Sequence, residues 1–501
     1  MKNQLKAGVV LSYISTVISI AIQLIYMPVM IRLLGKSEYG LYSLVSSVVS
    51  YLSLFSLGFT GAYVRFFAKS CNNKEKLASL NGMFLTLFSI LAALAAICGF
   101  ILSFFPEQIF GSKLSDLELA KARILMIILV INIAISLISG MFDSIIGAYE
   151  QFIFQRIAGL ISSIVNPFIC LPLLLLGHGS VMLVVVTTLI TFVRFVVNVW
   201  FCIYKIKIPV SFHGFQWSLL KEITVFSSFL LINMIIDQIN WNVDKLILGH
   251  TSGTEEIAVY GVASQFNSLF MTFSTTISSV FSPRVNRIAV LKNHDYQKDF
   301  TELMARIGRM QWMILALLIS GFVIFGKYFI VHIYAGKGYE DAYIVTLILT
   351  LPALIPWIQN VGIEMQRALN KHQFRSIIYL IMAVGNVIVS IPLAIKYGVI
   401  GVTIGTLISV LLGNGLIMNI FYHKVLKINM IIFWKEIFKT WKGFLIPLLL
   451  GGYIMKFVTF KSIGIFLLNI ISYTVVYCVS IIFFSCNKGE KKLIFEFVGK
   501  K

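Results

Sequence analysis

Charged residues are scarce in this sequence, and their scarcity excludes a soluble protein. Only 12% of the 501 residues are Asp, Glu, Lys or Arg, whereas 58% are hydrophobic and the mean hydropathy is +0.90. A soluble domain would carry about 25% charged residues. Apolar runs of about 18 residues or more recur along the whole chain, and each is long enough to cross about 30 Å of hydrocarbon. The sequence therefore predicts an all-α polytopic membrane protein.

The sequence also lacks the signatures of common catalytic sites. It contains no D-x-D, H-E-x-x-H, G-x-S-x-G or G-x-x-x-x-G-K-[ST] motif, and without the last of these it cannot hydrolyse a nucleotide through a P-loop of its own. No connection between apolar runs is long enough to fold as a domain, which a membrane glycosyltransferase or polysaccharide polymerase usually needs. We therefore expect a transporter rather than an enzyme, with no cofactor.

Cysteine is rare and dispersed. The six cysteines lie mostly inside apolar runs, and none forms a C-x-x-C pair. This pattern is typical of small core residues and argues against a metal site or a disulfide framework. The first apolar run, residues 8–31, is too long for the core of a signal peptide and has no A-x-A-like cleavage site, so we predict that it is a retained helix.

The formal net charge of +20 is typical of nucleic-acid-binding proteins, but the location of the charges argues against that partner. Most Lys and Arg residues fall in alternate connections between the apolar runs, whereas the acids divide more evenly between the two sides. Cytoplasmic connections of membrane proteins carry such an excess of Lys and Arg. We therefore expect both termini in the cytoplasm.

Hydropathy predicts about fourteen transmembrane helices. They lie near 8–31, 41–64, 81–105, 122–142, 157–176, 180–204, 223–243, 257–282, 310–334, 343–365, 376–395, 398–421, 443–460 and 463–484.

The second half of the chain repeats the first at a shift of about 220 residues. Each match is weak alone, but their order and nearly constant offset indicate a parallel repeat of two six-helix lobes, a plan that places the binding site of secondary transporters between the halves. We predict a first lobe at 1–215, a second at 216–425, and two further helices with a tail at 426–501. The matches are Asn166 with Asn386, Pro172 with Pro392, Phe154 with Phe374, Arg65 with Arg284, and Leu34-Gly35…Tyr39-Gly40 with Leu248-Gly249…Tyr260-Gly261, the last with seven extra residues.

Two six-helix lobes with two terminal helices, "RLLGKSEYGLYSL" after the first helix and "VDKLILG…VYG" after the seventh, resemble the polysaccharide flippases (O-antigen and capsule type) of the MOP exporter superfamily. That superfamily also holds the drug-exporting MATE proteins and the lipid II flippases. The resemblance covers nearly the whole chain and implies a MATE-like fold. It also implies transfer of undecaprenyl-pyrophosphate-linked oligosaccharide from the cytoplasmic to the outer leaflet. Lipid II flippases carry arginines in the first helix, and this chain has none between Lys6 and Arg32.

A pyrophosphate cargo requires positive charge and hydrogen-bond partners inside the membrane. Arg194 lies near the middle of the sixth predicted helix, where an arginine costs about 2.5–3.5 kcal/mol without compensation. Its guanidinium suits a pyrophosphate, and the alternative is a structural ion pair with Asp237 or Asp143. Asp237 is a candidate carrier of a coupling proton or sodium ion, or Arg194's counter-ion. The predicted substrate-binding residues are Arg194, Asp237, Asn233, Asn240, Gln23, Tyr26 and Asn198.

Charged residues at the cytoplasmic ends of the helices form a second predicted group, the cytoplasmic entrance. They could receive an incoming pyrophosphate, whereas the alternative for the arginines is anchoring to anionic lipid headgroups. A further alternative for one acid–base pair is a simple ion pair between neighbouring turns. The entrance residues are Arg65, Arg284, Arg287, Glu364 and Arg367.

The sequence thus predicts a flippase of the bacterial cytoplasmic (inner) membrane that works by alternating access in cell-surface polysaccharide biosynthesis, such as that of lipopolysaccharide or capsule. Its expected partners are the lipid-linked oligosaccharide, membrane lipids and other polysaccharide-assembly proteins. One alternative is a MATE-type cation or drug antiporter, which would need acids as the main charge of its cavity. The other is a membrane polysaccharide polymerase or ligase.

Overall fold

The computed structural model describes residues 2–213, 217–291, 296–369, 371 and 373–491. The side chains of residues 2–10 and of a few other helical residues, Asn233 among them, lie outside this description. The described chain is almost entirely helical, as the apolar runs predict.

The helices of the first half are long because apolar runs are interrupted only by short turns. Two short irregular segments adjoin them, a 3-10 turn at Tyr51–Ser56 and a π-helical segment at Phe201–Ile206. The helices are α1 (Lys2–Leu34), α2 (Lys36–Ser50), α3 (Phe59–Ser70), α4 (Lys74–Leu102), α5 (Pro106–Phe110), α6 (Asp116–Ala148), α7 (Phe152–Leu175) and α8 (Gly179–Trp200).

The second half continues in the same way. Its irregular segments are Phe329–Tyr334, Leu411–Ile417 and Lys439–Phe444. The helices are α9 (Trp217–Thr251), α10 (Thr254–Val280), α11 (Ser282–Leu291), α12 (Tyr296–Tyr328), α13 (Glu340–Ile358), α14 (Val361–Ala368), α15 (Gln373–Val410), α16 (Met418–Lys424), α17 (Met430–Phe438), α18 (Leu445–Phe457) and α19 (Ile463–Phe484).

Each predicted transmembrane segment lies mostly on helical backbone, although several run a few residues past the end of a helix and two contain a two-residue break. The segment predicted at 41–64 is broken at Leu57 and Gly58, which both have positive φ, and the segment at 343–365 is broken between α13 and α14. Ten helices or joined helices among the described residues are long and apolar enough to span a membrane. Helix α10 is not among them, because polar residues lower its hydropathy. The count of fourteen stays a prediction.

The chain divides into two compact units, Met1–Gly261 with Ile391–Val402, and Val262–Ser390 with Thr403–Lys501. The core of the first unit is rich in aromatic rings, and the rings of Tyr63 and Phe84 meet edge to face with centroids 5.2 Å apart. Aromatic pairs of this geometry stabilise a core beyond their burial alone. The lobe boundaries at 215 and 425 stay a prediction.

In the second unit a buried arginine fixes the C-terminal helices to α12. Arg309 is 4% exposed. Its Nε donates to Glu490 Oε1 and its Nη2 to Glu490 Oε2, each at 3.0 Å, and Nη1 donates to the Glu436 carbonyl at 2.8 Å. A bidentate pair with satisfied partners is the geometry in which a buried ion pair is stable. It holds the segment that follows α19 against α12.

The structure confirms the predicted repeat in matching side-chain contacts. Phe154 stacks on Phe201 with ring centroids 3.7 Å apart, and Phe374 stacks on Phe421 at 4.3 Å, 220 residues later in both members. The Asn166 side-chain oxygen accepts a hydrogen bond from Thr187 and that of Asn386 accepts one from Thr406. The two copies therefore repeat their packing as well as their sequence.

The register predicted for the turn after the first helix of each copy is wrong. The sequence matched Gly35 with Gly249 and required an insertion, but the structural counterpart of Gly35 is Gly253. Both have φ between +75° and +90°, at 78° and 87°, a conformation that favours glycine. Each glycine directly precedes a helix and lies three residues before a glutamate, Glu38 or Glu256, that accepts a hydrogen bond from the backbone at the start of another helix. The shift at this turn is 218 residues, within two residues of the shift of 220 that relates Phe154 to Phe374, so the seven-residue insertion is not needed.

Candidate functional site

The central charge of the candidate site is an ion pair between neighbouring helices. Arg194 on α8 donates through Nη2 to both carboxylate oxygens of Asp143 on α6, at 3.3 and 3.2 Å. The two side chains are 34% and 25% exposed. Of the two acids that the sequence offered as partners, the structure gives this contact to Asp143. The pair compensates part of the cost of a charge in the middle of a helix.

The pair does not use all donors of the arginine. Arg194 Nε is buried and has no hydrogen-bond partner among the described residues. A guanidinium has five N–H donors in a fixed fork, and within the described chain only Nη2 is engaged. The remaining donors are available for a bound group that accepts hydrogen bonds, and phosphate oxygens suit them.

Asn198 extends the cluster by one turn of α8. It is buried, and its Nδ2 donates to Asp143 Oδ1 at 3.1 Å and to Ser139 Oγ at 3.4 Å. Asp143 is thus shared by Arg194 and Asn198, which are four residues apart and lie on one face of α8. These contacts hold the carboxylate between α6 and α8, so that the arginine is positioned by a fixed acceptor.

A seam of hydroxyl and amide groups continues along α8 away from Arg194. Asn132 on α6 donates through Nδ2 to Thr191 Oγ1 at 3.1 Å and to Thr188 Oγ1 at 3.4 Å. Thr187 donates to Asn166 on α7 at 3.4 Å. Polar residues inside helix bundles bond across helices in this way, so the seam is a row of polar groups leading to the ion pair.

The predicted residues of α1 lie near this seam rather than at the ion pair. Tyr26 is half-buried, and its hydroxyl contacts the thiol of Cys170 on α7. Cys170 also donates to Asn166. Gln23 is half-buried one turn before Tyr26 on the same helix. Helix α1 packs against α7, which explains the contact.

The predicted residues of α9 lie on a helix that packs against α2 and α3. Asp237 is exposed and Asn240 half-buried, whereas the side chain of Asn233 is outside the described residues. The buried acid of this helix is Asp244, which accepts a hydrogen bond from the Tyr260 hydroxyl at 2.6 Å. Asp237 and Asp244 are seven residues apart and lie on one face of α9, but only Asp244 is buried.

The entrance residues divide into three places. Arg65 is exposed on α3. Glu364 and Arg367 form the ion pair between neighbouring turns that their spacing allowed, at 2.9 Å, and Glu364 also accepts from Ser282 on α11. Arg284 and Arg287 line a cavity beside the start of α12. The structure therefore describes Glu364 and Arg367 as a paired element and the two α11 arginines as residues that face open space.

Asp143 is the functional candidate that sequence reasoning undervalued. Hydropathy ended the fourth predicted helix at 142, which placed Asp143 in a connection, but α6 continues to Ala148. The sequence does contain a sign of where α6 begins. Ser115 and Glu118 form a capping box at its first turn. A helix that begins there and continues without a break brings Asp143 beside α8. Among the described residues, no group of three or more His, Cys, Asp and Glu residues could hold a metal ion.

Comparison with known proteins places the chain in a family. The sequence model of the family described as "Polysaccharide biosynthesis protein" matches residues 29–342, more than half of the chain. The protein belongs to this family. The match confirms the link to polysaccharide biosynthesis that the resemblance of the sequence motifs implied. A relative from Shigella flexneri, named "Putative O-antigen transporter", is 22% identical over 401 residues, which cover 79% of this chain and 92% of the relative.

Solved structures of two kinds of transporter have the same fold as this chain. The lipid II flippase MurJ in an inward closed conformation gives a TM-score of 0.73 at 17% identity, covering 98% of this chain and 99% of MurJ. A multidrug resistance MATE family transporter in an inward-facing conformation gives 0.65 at 14% identity, covering 79% and 96%. The chain is thus an all-helical, multi-pass membrane protein with a MurJ- and MATE-like fold.

Proposed function

We propose that this protein is a flippase that moves undecaprenyl-pyrophosphate-linked oligosaccharide from the cytoplasmic to the outer leaflet of a bacterial cytoplasmic membrane. The cargo serves cell-surface polysaccharide biosynthesis, of the O-antigen or capsule type, and the chain acts by alternating access without catalysing a reaction. The family supports a role in polysaccharide biosynthesis, and the names of the relatives support transport of a lipid-linked cargo.

The observation that carries the proposal is Arg194. A guanidinium in the middle of a transmembrane helix, positioned by Asp143 and with its Nε left without a partner among the described residues, suits an anionic group that enters and leaves. Pyrophosphate oxygens accept the two parallel hydrogen bonds that the guanidinium fork offers. The adjoining seam of threonine and asparagine side chains offers partners to the sugar hydroxyls.

The coupling ion belongs to the same proposal. Asp237 is the predicted carrier of a proton or a sodium ion, and it lies exposed on α9. A carboxylate that changes its partner during the transport cycle can bind such an ion in one state and release it in the other. Both termini are expected on the cytoplasmic side, by the distribution of Lys and Arg.

The MATE-like fold supports a second candidate, an antiporter of cationic drugs. Such a protein would bind its cargo with acidic groups. Asp143 is an acid in the right place, but Arg194 already neutralises it at 3.2 Å. A cation would have to displace this arginine, so the ion pair favours an anionic cargo.

Leaflet sidedness of the lipid-linked oligosaccharide tests the proposal. We would label sugars on the outer face of cells with a membrane-impermeant oxidising reagent, with and without this protein. We expect the outer-leaflet signal to disappear in its absence, with precursor accumulating inside. Unchanged sidedness, together with reduced efflux of a fluorescent cation, would instead establish the antiporter.

A further inference from the structure

A cavity of about 710 Å³ lies between α11 and the start of α12. Two faces line it. Arg284 and Arg287 stand three residues apart on α11, and Asp299, Glu302 and Arg306 follow one face of α12, since residues three, four and seven apart share a helix face. The volume is in the range of small-molecule sites, about 300–1,000 Å³.

The walls of the cavity are fixed by buried apolar residues. Val285 and Ala289, four residues apart on α11, are 1% and 7% exposed, and Leu303 on α12 is 3% exposed at the cavity's edge. At the start of α11, the Ser282 hydroxyl donates to Glu364 on α14 at 2.9 Å. The charged faces are therefore held on two packed helices rather than on a loop.

The charged side chains of the cavity do not neutralise one another. Within the described chain, no ion pair joins one of the three arginines, Arg284, Arg287 and Arg306, to Asp299 or Glu302. These five charged groups face a common space without pairing, so their hydrogen-bond donors and acceptors are available to a ligand. Three guanidinium groups outnumber two carboxylates, so the net charge of the site is positive and favours an anion.

The combination of the two charge types specifies the ligand further. Guanidinium groups bind phosphate oxygens. Carboxylates repel phosphate but accept hydrogen bonds from hydroxyl groups. A bare phosphate would use only the arginines, whereas a phosphate attached to a sugar would use both kinds of side chain.

We propose that the α11–α12 cavity is a binding site for a glycosyl phosphate, with Arg284, Arg287 and Arg306 on the phosphate and Asp299 and Glu302 on the sugar hydroxyls. This inference rests on the proposed function and deepens it, because a sugar joined to a phosphate is the head group of the proposed cargo. The site belongs to the second compact unit, whereas the Arg194 cluster belongs to the first. It lies on the side that the Lys and Arg distribution assigns to the cytoplasm. It selects cargo by its head group before translocation.

The test measures binding to the full-length protein in nanodiscs of zwitterionic lipid. The probes are glucose 1-phosphate, as a soluble glycosyl phosphate, and inorganic phosphate, each titrated by calorimetry. We expect glucose 1-phosphate to bind more tightly. Arg306→Gln should weaken both probes about tenfold, since a lost charge-assisted hydrogen bond has that order of effect. Arg156→Gln, which removes an exposed arginine of α7 outside the cavity, should change neither.

Glu302→Gln separates a sugar-phosphate site from a simple anion site. We expect it to weaken glucose 1-phosphate about threefold or more, because an NH2 donor replaces one of the two carboxylate oxygens that accept from sugar hydroxyls. It should leave the affinity for inorganic phosphate unchanged or higher, because the repulsion between two negative charges is lost. Equal affinities of the two probes, or an Arg306→Gln variant that binds normally, would overturn the proposal. So would displacement of the probe in nanodiscs containing phosphatidylglycerol, because it would assign the site to lipid headgroups.

The sidedness assay distinguishes failure of this inference from failure of the proposed function. Normal flipping by a protein that does not bind glucose 1-phosphate at this cavity would refute the cavity site alone. Unchanged sidedness in cells without the protein would refute the flippase function, whatever the binding result. Size-exclusion profiles of each variant verify that it is folded, and the exposed positions of these side chains make substitution tolerable.

Discussion

At the scale of single residues, Arg194 and Asp143 can be either a permanent structural pair or a site that exchanges partners with a cargo. The geometry is compatible with exchange, because only Nη2 contacts the carboxylate and both side chains are a quarter or more exposed. A fully buried bidentate pair, such as Arg309 with Glu490, has no such freedom. The comparison within one molecule therefore favours a functional role for Arg194.

A double-mutant cycle tests this role. We expect Arg194→Gln to reduce flipping at least tenfold, since a charge-assisted hydrogen bond contributes about 1.5–3 kcal/mol and about 1.4 kcal/mol corresponds to a factor of ten. Asp143→Asn should impair flipping less, because the arginine remains. In the double variant no unpaired charge is left, so folding should recover while flipping stays low. Outer-leaflet sugar labelling measures flipping, and the melting temperature in detergent measures folding.

The control for this cycle is Arg156→Gln, whose side chain is exposed on α7. It should leave both quantities unchanged. Recovery of flipping in the Arg194→Gln/Asp143→Asn double variant would show that the pair serves only to compensate its own charges, and the cargo role of Arg194 would be wrong.

The candidate site could be predicted in part from the sequence. Arg194 was predicted because it is a charge near the middle of an apolar helix, and Asn198 follows it four residues later on the same helix. Asp143 was considered only as a partner, because hydropathy ends a helix at the first charge whereas the backbone hydrogen bonds of α6 continue past it. Asp244 is buried and Asp237 is exposed because of the way other helices pack against α9. The sequence pattern of α9 itself does not contain this information.

At the scale of helices, two glutamates cap corresponding helix starts in the two copies of the repeat. Glu38 accepts a hydrogen bond from the backbone N–H of Ser180 at the start of α8, and Glu256 accepts one from Val399, where α15 resumes after Gly398. Carboxylates are favourable at helix N-termini, where unpaired N–H groups and the helix dipole meet. The same device at the same place in both copies is the strongest structural mark of the repeat.

The glycine beside each cap is required by the same contact. Gly179 and Gly398 both have positive φ, at 39° and 54°. A Cβ atom at either position would collide with the capping carboxylate, of Glu38 or Glu256 respectively. The glycine thus allows the chain to turn into the helix and leaves space for the acid.

We expect Glu38→Ala and Glu256→Ala to destabilise the protein by similar amounts, about 0.5–2 kcal/mol each, which is the usual contribution of an N-terminal cap. The neighbouring Glu255→Ala is the matched control. Glu255 is 68% exposed and pairs with Lys36 at 3.2 Å, and an exposed pair contributes about 0–1 kcal/mol. Thermal unfolding in detergent measures all three. A loss confined to one of the two caps would contradict their equivalence in the repeat.

The repeat also shows how far sequence comparison alone can reach. The contacts of Asn166 and Phe154 recur at Asn386 and Phe374 as the sequence predicted. The turn was misaligned because the sequence comparison matched its Tyr-Gly pair. The residue that the two copies share structurally is the glutamate that caps a helix. Only the backbone conformation of Gly253 and the position of the capped helix decide the register.

At the scale of the whole molecule, the number of membrane crossings depends on one long helical stretch. Residues Gln373–Lys424 form a continuous candidate span of 52 residues, which at about 1.5 Å per residue is more than twice the thickness of the hydrocarbon core. Gly398, with φ 54° and ψ −134°, breaks the helix near its middle. The stretch therefore fits two crossings that meet at this glycine, as the predicted segments 376–395 and 398–421 require.

The accessibility of single cysteines in cells tests whether this stretch crosses the membrane twice. In a variant without native cysteines, we expect Lys396→Cys, just before the break and exposed, to react with a membrane-impermeant maleimide added outside. Lys371→Cys and Lys427→Cys, at the two ends of the stretch and also exposed, should react only after the membrane is permeabilised. Positive residues at both ends are expected to stay in the cytoplasm. Outside labelling at 371 or 427 would mean that the stretch crosses once. In that case the total would be odd, the two termini would lie on opposite sides, and the parallel arrangement of the repeat copies would have to be abandoned.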